Sequence, residues 1–325
     1  MNKWQYFLQL MRVYHSYRKK RTRLEYPPVR LWVEPTDHCN LRCVMCPNKD
    51  LAMAKKGFMD MDLFRKIIDE AAGFVFDVHL HHRGESLLHP RFFEMAGYAR
   101  KMGVRTKLHT NATILDEKKA HQIIESGLDQ LSFSFDGYDK KTYESIRINA
   151  DFEKTIRNIV RFLQTKKEQK SKKPYTILEL INFPDHPIKN APQKRREFLG
   201  RFKGLPLDRL VIKEFHNWAG EKGAAKSRGH FSPCTFLWNA LVLFWDGSVL
   251  PCSQDFFGHY ILGSVRESPL REIWNNEKMI HLRKRHLEHD IDEFATCREC
   301  DRVWREKFLG VPKEYMWKFI LRKMP

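Results

Sequence analysis

Cys39-Asn40-Leu41-Arg42-Cys43-Val44-Met45-Cys46 follows the apolar run Leu31-Trp32-Val33-Glu34-Pro35 and is followed by Pro47. Three thiolates at this C-x3-C-x2-C spacing can hold three corners of a cubane iron-sulfur cluster and leave the fourth iron open. An open iron points to chemistry on a bound molecule more than to electron storage. The same donors also fit part of a zinc site or a set of buried thiols. Zinc knuckles, however, usually come in C-x2-4-C pairs that close all four positions.

Outward from the triplet, short apolar runs alternate with amphipathic stretches. Strands are expected at 31–35, 77–82, 104–109, 130–135, 175–182 and 209–214. Between them, Leu63, Phe64, Ile67, Ile68 and Ala71 recur at helical spacing, as do Phe152, Ile156, Ile159, Val160 and Leu163. Six strands alternating with helices predict an α/β fold with a parallel sheet and right-handed crossovers. The lysine-rich stretch from Lys166 to Lys173 is read as a solvated loop before the fifth strand.

The chain has 325 residues, 42% of them hydrophobic, enough for one large domain or a large domain with a small one. It contains no run of about 18 apolar residues and its first residues do not read as a signal peptide, so a cytoplasmic protein is expected. In that compartment thiols stay reduced, and the seven cysteines point to metal ligation before disulfides. The formal charge of +18, from 58 basic and 40 acidic residues, suits an anionic partner of some kind without choosing one.

Residues 1–28 stand apart: Lys3, Arg12, Arg18, Lys19, Lys20, Arg21 and Arg23 precede the first acidic residue, Glu25. Trp4, Phe7, Met11 and Tyr14 recur at helical spacing, so the segment reads as a basic amphipathic helix stopped by Pro27-Pro28. Packing on the body of the protein is the commoner fate of such a helix; an anionic membrane surface is the other. Tyr315, Trp317, Phe319 and Ile320, interleaved with basic residues, repeat this composition in a tail at 311–325.

Four cysteines remain: Cys234, Cys252, Cys297 and Cys300. Asp246-Gly247 between two β-rich runs signals a hairpin between the first pair, and the second pair forms a C-x2-C knuckle. Four thiolates close a site around either zinc or an iron-sulfur cluster.

The triplet resembles the signature of the radical S-adenosylmethionine (SAM) superfamily, although Met45 stands where an aromatic residue is frequent. The resemblance implies a partial (β/α)6 barrel at 29–228, with the open iron chelating the cofactor's methionine. His82-Arg83-Gly84-Glu85-Ser86 is similar to the family's Gly-Gly-Glu-Pro region, which implies that Gly84 and Glu85 line the SAM pocket. Ser134, in Ser132-Phe133-Ser134-Phe135-Asp136-Gly137, resembles the serine that reaches the cofactor ribose, and Arg147 resembles an arginine that pairs with its carboxylate. The family's glycine-rich adenine motif is not evident on the fifth strand. Cys234-x12-Gly247-x4-Cys252, followed by Gly263, Trp274 and Cys297-x2-Cys300, resembles a SPASM extension in its shortened, twitch-like form. That resemblance implies a small cysteine-rich domain at 229–310 holding an auxiliary 4Fe-4S cluster, so two 4Fe-4S clusters in all.

The expected function is reductive cleavage of SAM to a 5′-deoxyadenosyl radical that abstracts hydrogen from a small-molecule substrate. A hydroxylated compound, such as a sugar, cyclitol or lipid-head-group precursor, is favoured, with oxidation or rearrangement as the outcome. A peptide-modifying maturase is the alternative, and a noncatalytic electron-transfer protein the third reading. A one-electron donor such as flavodoxin or ferredoxin is expected as partner, and no specific nucleic acid. The catalytic base is not legible in the sequence.

Overall fold

The computed structural model describes residues 3–183, 191–221, 231–304, 307–308 and 311–312. Helix α1 spans Lys3–Arg18. Strands β1 (Arg30–Val33), β2 (Asp77–His79), β3 (Arg105–Thr110), β4 (Gln130–Ser134), β5 (Tyr175–Asn182) and β6 (Arg209–Glu214) alternate with α2 (Met61–Ala71), α3 (Phe92–Lys101), α4 (Glu117–Ser126), α5 (Lys140–Ile146), α6 (Phe152–Glu168) and α7 (Pro192–Gly200). β1 to β6 run parallel in sequence order. Each expected strand forms, shorter by a few residues at the second position because the chain leaves the sheet after His79.

The helices start where a carboxylate can cap them. Asp60, Asp116, Asp139 and Asp151 each accept a hydrogen bond from the backbone N–H three residues on, satisfying a donor that the first turn leaves unpaired. On α2, Leu63, Phe64, Ile67, Ile68 and Ala71 are buried. They join one core with Val78, Leu80, Leu108, Leu131, Phe133, Leu178 and Leu180 from one face of the sheet. Burial of each large aliphatic side chain there stabilises by about 1.5–3 kcal/mol. Side chains alternate across a strand, so Asp77, His79, Lys107, His109 and Glu179 lie on the opposite, inner face.

β7 (Ala240–Leu243) pairs in parallel with β1, on the side away from β2, and β8 (Ser248–Leu250) and β9 (Gly263–Ser264) follow antiparallel. The hairpin therefore extends the barrel sheet to nine strands. Gly247 closes its turn at φ +98°, a conformation that glycine adopts without strain. Two short helices, α8 (Leu270–Ile273) and α10 (Ala295–Arg298), flank α9 (Glu277–Glu288).

Helix α1 packs on the body through a face other than the apolar stripe in the sequence. Tyr6 stacks on Phe76 with centroids 3.5 Å apart; Tyr17 meets Trp238 edge-on and donates to the Pro233 carbonyl at 2.8 Å. Trp4, Phe7, Leu8, Met11 and Tyr14 are left exposed, Trp4 at 67%. Among the described residues no helix is long and apolar enough to cross a membrane. The aromatic tail residues Tyr315 to Ile320 lie outside the described residues.

Candidate active site

The triplet sits in the loop that leaves β1, at the C-terminal ends of the parallel strands, where such folds collect ligand-binding groups. Two backbone bonds fix the loop against the end of α5: Arg42 N–H to Ile148 O at 3.1 Å and Val44 N–H to Ile146 O at 2.9 Å. Asn40 adds side-chain anchors. Its amide donates to Thr113 at 2.7 Å and its carbonyl accepts from Asn111 at 3.0 Å. Burial pushes the Cys39 thiol up to about 12, with Cys43 and Cys46 adding to the effect, and burial also raises Cys43. Close thiols, of which Cys39 and Cys43 resist ionisation in the bare protein, suit a metal that displaces their protons.

Gly84 and Glu85 lie against this loop. A Cβ on Gly84 would fall 2.4 Å from the Thr36 carbonyl oxygen and 2.5 Å from that of His38, so the missing side chain lets the β2 loop touch the backbone leading into the triplet. The Glu85 N–H donates to His38 O at 2.8 Å. Its buried carboxylate accepts from Asn111 N at 2.7 Å, Thr110 Oγ1 at 2.9 Å and Leu87 N at 3.1 Å. Glu85 thus ties the loops after β1, β2 and β3 together, and burial raises its carboxyl.

Arg147 caps the end of α5 beside Cys43. One terminal nitrogen, Nη2, donates to Asp136 Oδ2 at 2.7 Å, and Asp136 Oδ1 accepts from Ile181 N at 2.8 Å. The Arg147 Nε is buried and has no hydrogen-bond partner, a donor suited to a carboxylate. Ser134 ends β4, half-buried, in register with Glu179 of β5.

The second set is equally convergent. The charges of Cys234, Cys252 and Cys300 act on Cys297, and burial together with these neighbours pushes Cys297 well above the ordinary thiol range. Burial pushes Cys252 up as well and Cys300 to about 12. Gln254 N–H points at Cys252 Sγ at 3.3 Å and Arg302 N–H at Cys300 Sγ at 3.4 Å, donors that stabilise thiolates. His286 of α9 was not legible beforehand. Its Nδ1 accepts from Cys234 N at 3.4 Å, so the neutral ring carries its proton on Nε2, 3.4 Å from Cys297 Sγ. Burial pushes this imidazole down to about 4. Both donor sets fit iron-sulfur ligation.

Family models agree with this division. Residues 33–183 match the radical SAM superfamily and residues 234–301 match SPASM, an iron-sulfur cluster-binding domain. The chain belongs to the radical SAM superfamily. A cofactor-modifying protein for tungsten-containing aldehyde ferredoxin oxidoreductase, from Pyrococcus furiosus, is 27% identical over 319 residues, covering 83% of this chain and 86% of that protein. The SAM-dependent 2-deoxy-scyllo-inosamine dehydrogenase of Niallia circulans is 22% identical over 278 residues, 83% and 92% of the two chains. The crystal structure of BtrN in complex with AdoMet and 2-DOIA superposes with a TM-score of 0.59 at 20% identity, covering 88% of this chain and 95% of that one. That likeness shows the fold. The two family matches, radical SAM and SPASM, imply SAM and iron-sulfur clusters as cofactors.

Proposed function

We propose that this radical SAM protein is an oxidoreductase with two 4Fe-4S clusters acting on a small hydroxylated molecule. Cys39, Cys43 and Cys46 would hold the reducing cluster, and Cys234, Cys252, Cys297 and Cys300 the auxiliary one. When loaded, these groups supply the electron that splits SAM into methionine and a 5′-deoxyadenosyl radical, and an acceptor for an electron from oxidised substrate. The observation that carries the reading is the attachment of both cysteine sets to one continuous sheet: the triplet follows β1, and the quartet surrounds the hairpin whose β7 pairs with β1.

The protein's own groups position the reactants. Arg147, with its unpartnered Nε, lies beside Cys43 and would hold the methionine carboxylate, while Gly84 and Glu85 set the loop against which the cofactor would lie. Ser134, at the end of β4, would reach the ribose. The inner face of the sheet, with His79, His81, His109, Glu179 and Lys213, offers polar groups to a hydroxylated substrate. Similarity over most of both chains to a dehydrogenase named for an amino-cyclitol supports oxidation of a carbinol. A flavodoxin or ferredoxin would deliver the electron. The domain limits 29–228 and 229–310 are proposed with this division of labour.

One observation favours a membrane surface as further partner. The exposed face of α1, with Trp4, Phe7, Leu8 and Met11, lies on a helix whose acidic residues are absent and which leads into Lys19, Lys20 and Arg21. That combination suits the interface of an anionic bilayer.

Metabolite profiling of cells with the intact protein and with Cys39→Ala tests the substrate reading. A hydroxylated small molecule should accumulate in the variant, and its counterpart lacking two hydrogens should appear only with the intact protein. A change confined to peptide masses would replace this reading with the maturase.

A further inference from the structure

His79 of β2, His81 just beyond it and His109 of β3 bring one ring nitrogen each within 4.8 Å of one another. His79 and His109 lie on the inner face of the sheet, and His81 meets them just beyond β2. Rings of His81 and His109 stack at 4.2 Å, and Trp32 of β1 stacks on His79 at 4.2 Å, so the three imidazoles are held by packing. Beneath them Asp77 is bound by Arg30 Nη2 at 2.8 Å and by Lys107 Nζ at 2.8 Å, two cations on one carboxylate, and its Oδ1 lies 3.6 Å from His79 Nε2, too long for a hydrogen bond.

Hydrogen bonding stops at the histidine layer. Both ring nitrogens of His79 and Nδ1 of His81 are buried without a hydrogen-bond partner. Leaving such groups unsatisfied is costly, and natural interiors rarely do so without a ligand or water to meet them. A neutral imidazole has a lone pair to give a metal. His109 has the outer partner that ligating histidines usually have: its Nδ1 lies 3.3 Å from Glu179 Oε2, which directs Nε2 the other way. Glu179 is in turn held by Lys213 Nζ at 2.6 Å.

We propose that His79, His81 and His109 form a divalent transition-metal site on the inner face of the sheet, with Glu179 as the positioning residue for His109. Three imidazoles suit zinc, iron, cobalt or nickel and disfavour magnesium and calcium, which take oxygen ligands. Three protein ligands leave a coordination position open toward the space above the sheet, where an oxygen of a hydroxylated or carboxylated molecule would bind. The site uses histidines of the face assigned to substrate above, but its zinc readout does not depend on what that substrate is.

Zinc is the probe. The full chain, reconstituted with iron and sulfide, is incubated with zinc, desalted and analysed for both metals. The intact protein should retain about one zinc per chain beyond its iron, with X-ray absorption showing nitrogen or oxygen at about 2.0–2.1 Å. The double variant His79→Ala/His109→Ala and the milder His109→Gln should lose zinc at least tenfold while keeping iron and sulfide, which reports that the fold persists. Glu179→Gln should weaken retention about tenfold. No retained zinc in the intact protein, sulfur at about 2.3 Å around it, or equal retention in His109→Gln would each overturn the proposal. SAM cleavage measured on the same samples reports separately on the enzymatic reading.

Discussion

Arg83 and Glu34 form a buried two-pronged pair, Nη2 to Oε1 at 2.7 Å and Nε to Oε2 at 2.8 Å. The pair joins three parts of the molecule. Glu34 follows β1 on the way to the triplet, Arg83 precedes Gly84, and Trp245 of the hairpin turn donates its N–H to the same carboxylate at 3.3 Å. The Arg83 guanidinium also lies 3.5 Å from the centroid of the Phe244 ring. One ion pair thus couples the loops after β1 and β2 to the β7–β8 hairpin.

Breaking that pair should be expensive, and its pH dependence has a definite sign. Burial alone would raise the Glu34 carboxyl, but Arg83, with help from His82, outweighs it and holds it at about 2 against an ordinary 4.5. Because the unfolded chain takes up the proton first, the contribution is complete above pH 4.5 and is lost as pH falls toward 2. Its size is on the order of 3 kcal/mol. Denaturant unfolding followed by tryptophan fluorescence should show Glu34→Gln less stable by roughly 3–5 kcal/mol at neutral pH, with a shallower loss on acidification.

The two cysteine sets should separate by substitution. Cys43→Ala should lower iron by about four per chain and abolish SAM cleavage, since the open iron goes with the triplet. Cys300→Ala should lower iron by a similar amount yet leave some SAM cleavage, now uncoupled from substrate oxidation. Iron analysis and 5′-deoxyadenosine assay read both.

At Gly84, even alanine should be disruptive. Its Cβ would meet backbone at 2.4–2.8 Å, which cannot yield as a flexible side chain does. Gly84→Ala should displace the 36–38 segment, and reconstitution should leave the triplet poorly loaded, measured as iron and visible absorbance against the intact protein.

Arg147→Lys keeps the positive charge and loses the planar fork. SAM affinity, measured by equilibrium dialysis, should fall about tenfold, equivalent to about 1.4 kcal/mol. Iron content should be unchanged, because Arg147 lies beside Cys43 without bonding the loop through its side chain.

For α1, a Trp4→Ser/Leu8→Ser/Met11→Ser variant changes only exposed side chains and should leave thermal stability within about 0.5 kcal/mol. Its sedimentation with anionic phosphatidylserine vesicles should drop several-fold, and neutral vesicles should bind neither protein. Equal binding by variant and intact protein would remove the membrane from the account.

Much of this was legible because it is local. The strands announce themselves by short apolar runs between helical periods, and the cysteines by spacing; β5 and β6 form over the expected 175–182 and 209–214. What sequence could not supply was juxtaposition over long separations. Glu34 meets Arg83 across 49 positions, Asn40 meets Thr113 across 73, and the three histidines come together only when β2 pairs with β3. His286 sits 11 residues from Cys297, but an isolated histidine on a helix carries no signal until the fold turns it toward the sulfur. Helix α1 shows the converse. Its stripe of Trp4, Phe7, Met11 and Tyr14 was visible, yet Tyr6, Val13 and Tyr17 make the contacts, because the docking surface offers the rings of Phe76 and Trp238.

Cys39, Cys43 and Cys46 are proposed to initiate radical chemistry on SAM. Anaerobic reconstitution to about eight irons per chain, followed by dithionite and SAM, tests it directly. The intact protein should release 5′-deoxyadenosine and methionine in equal amounts, and Cys39→Ala should release neither. Full iron loading without 5′-deoxyadenosine would contradict it.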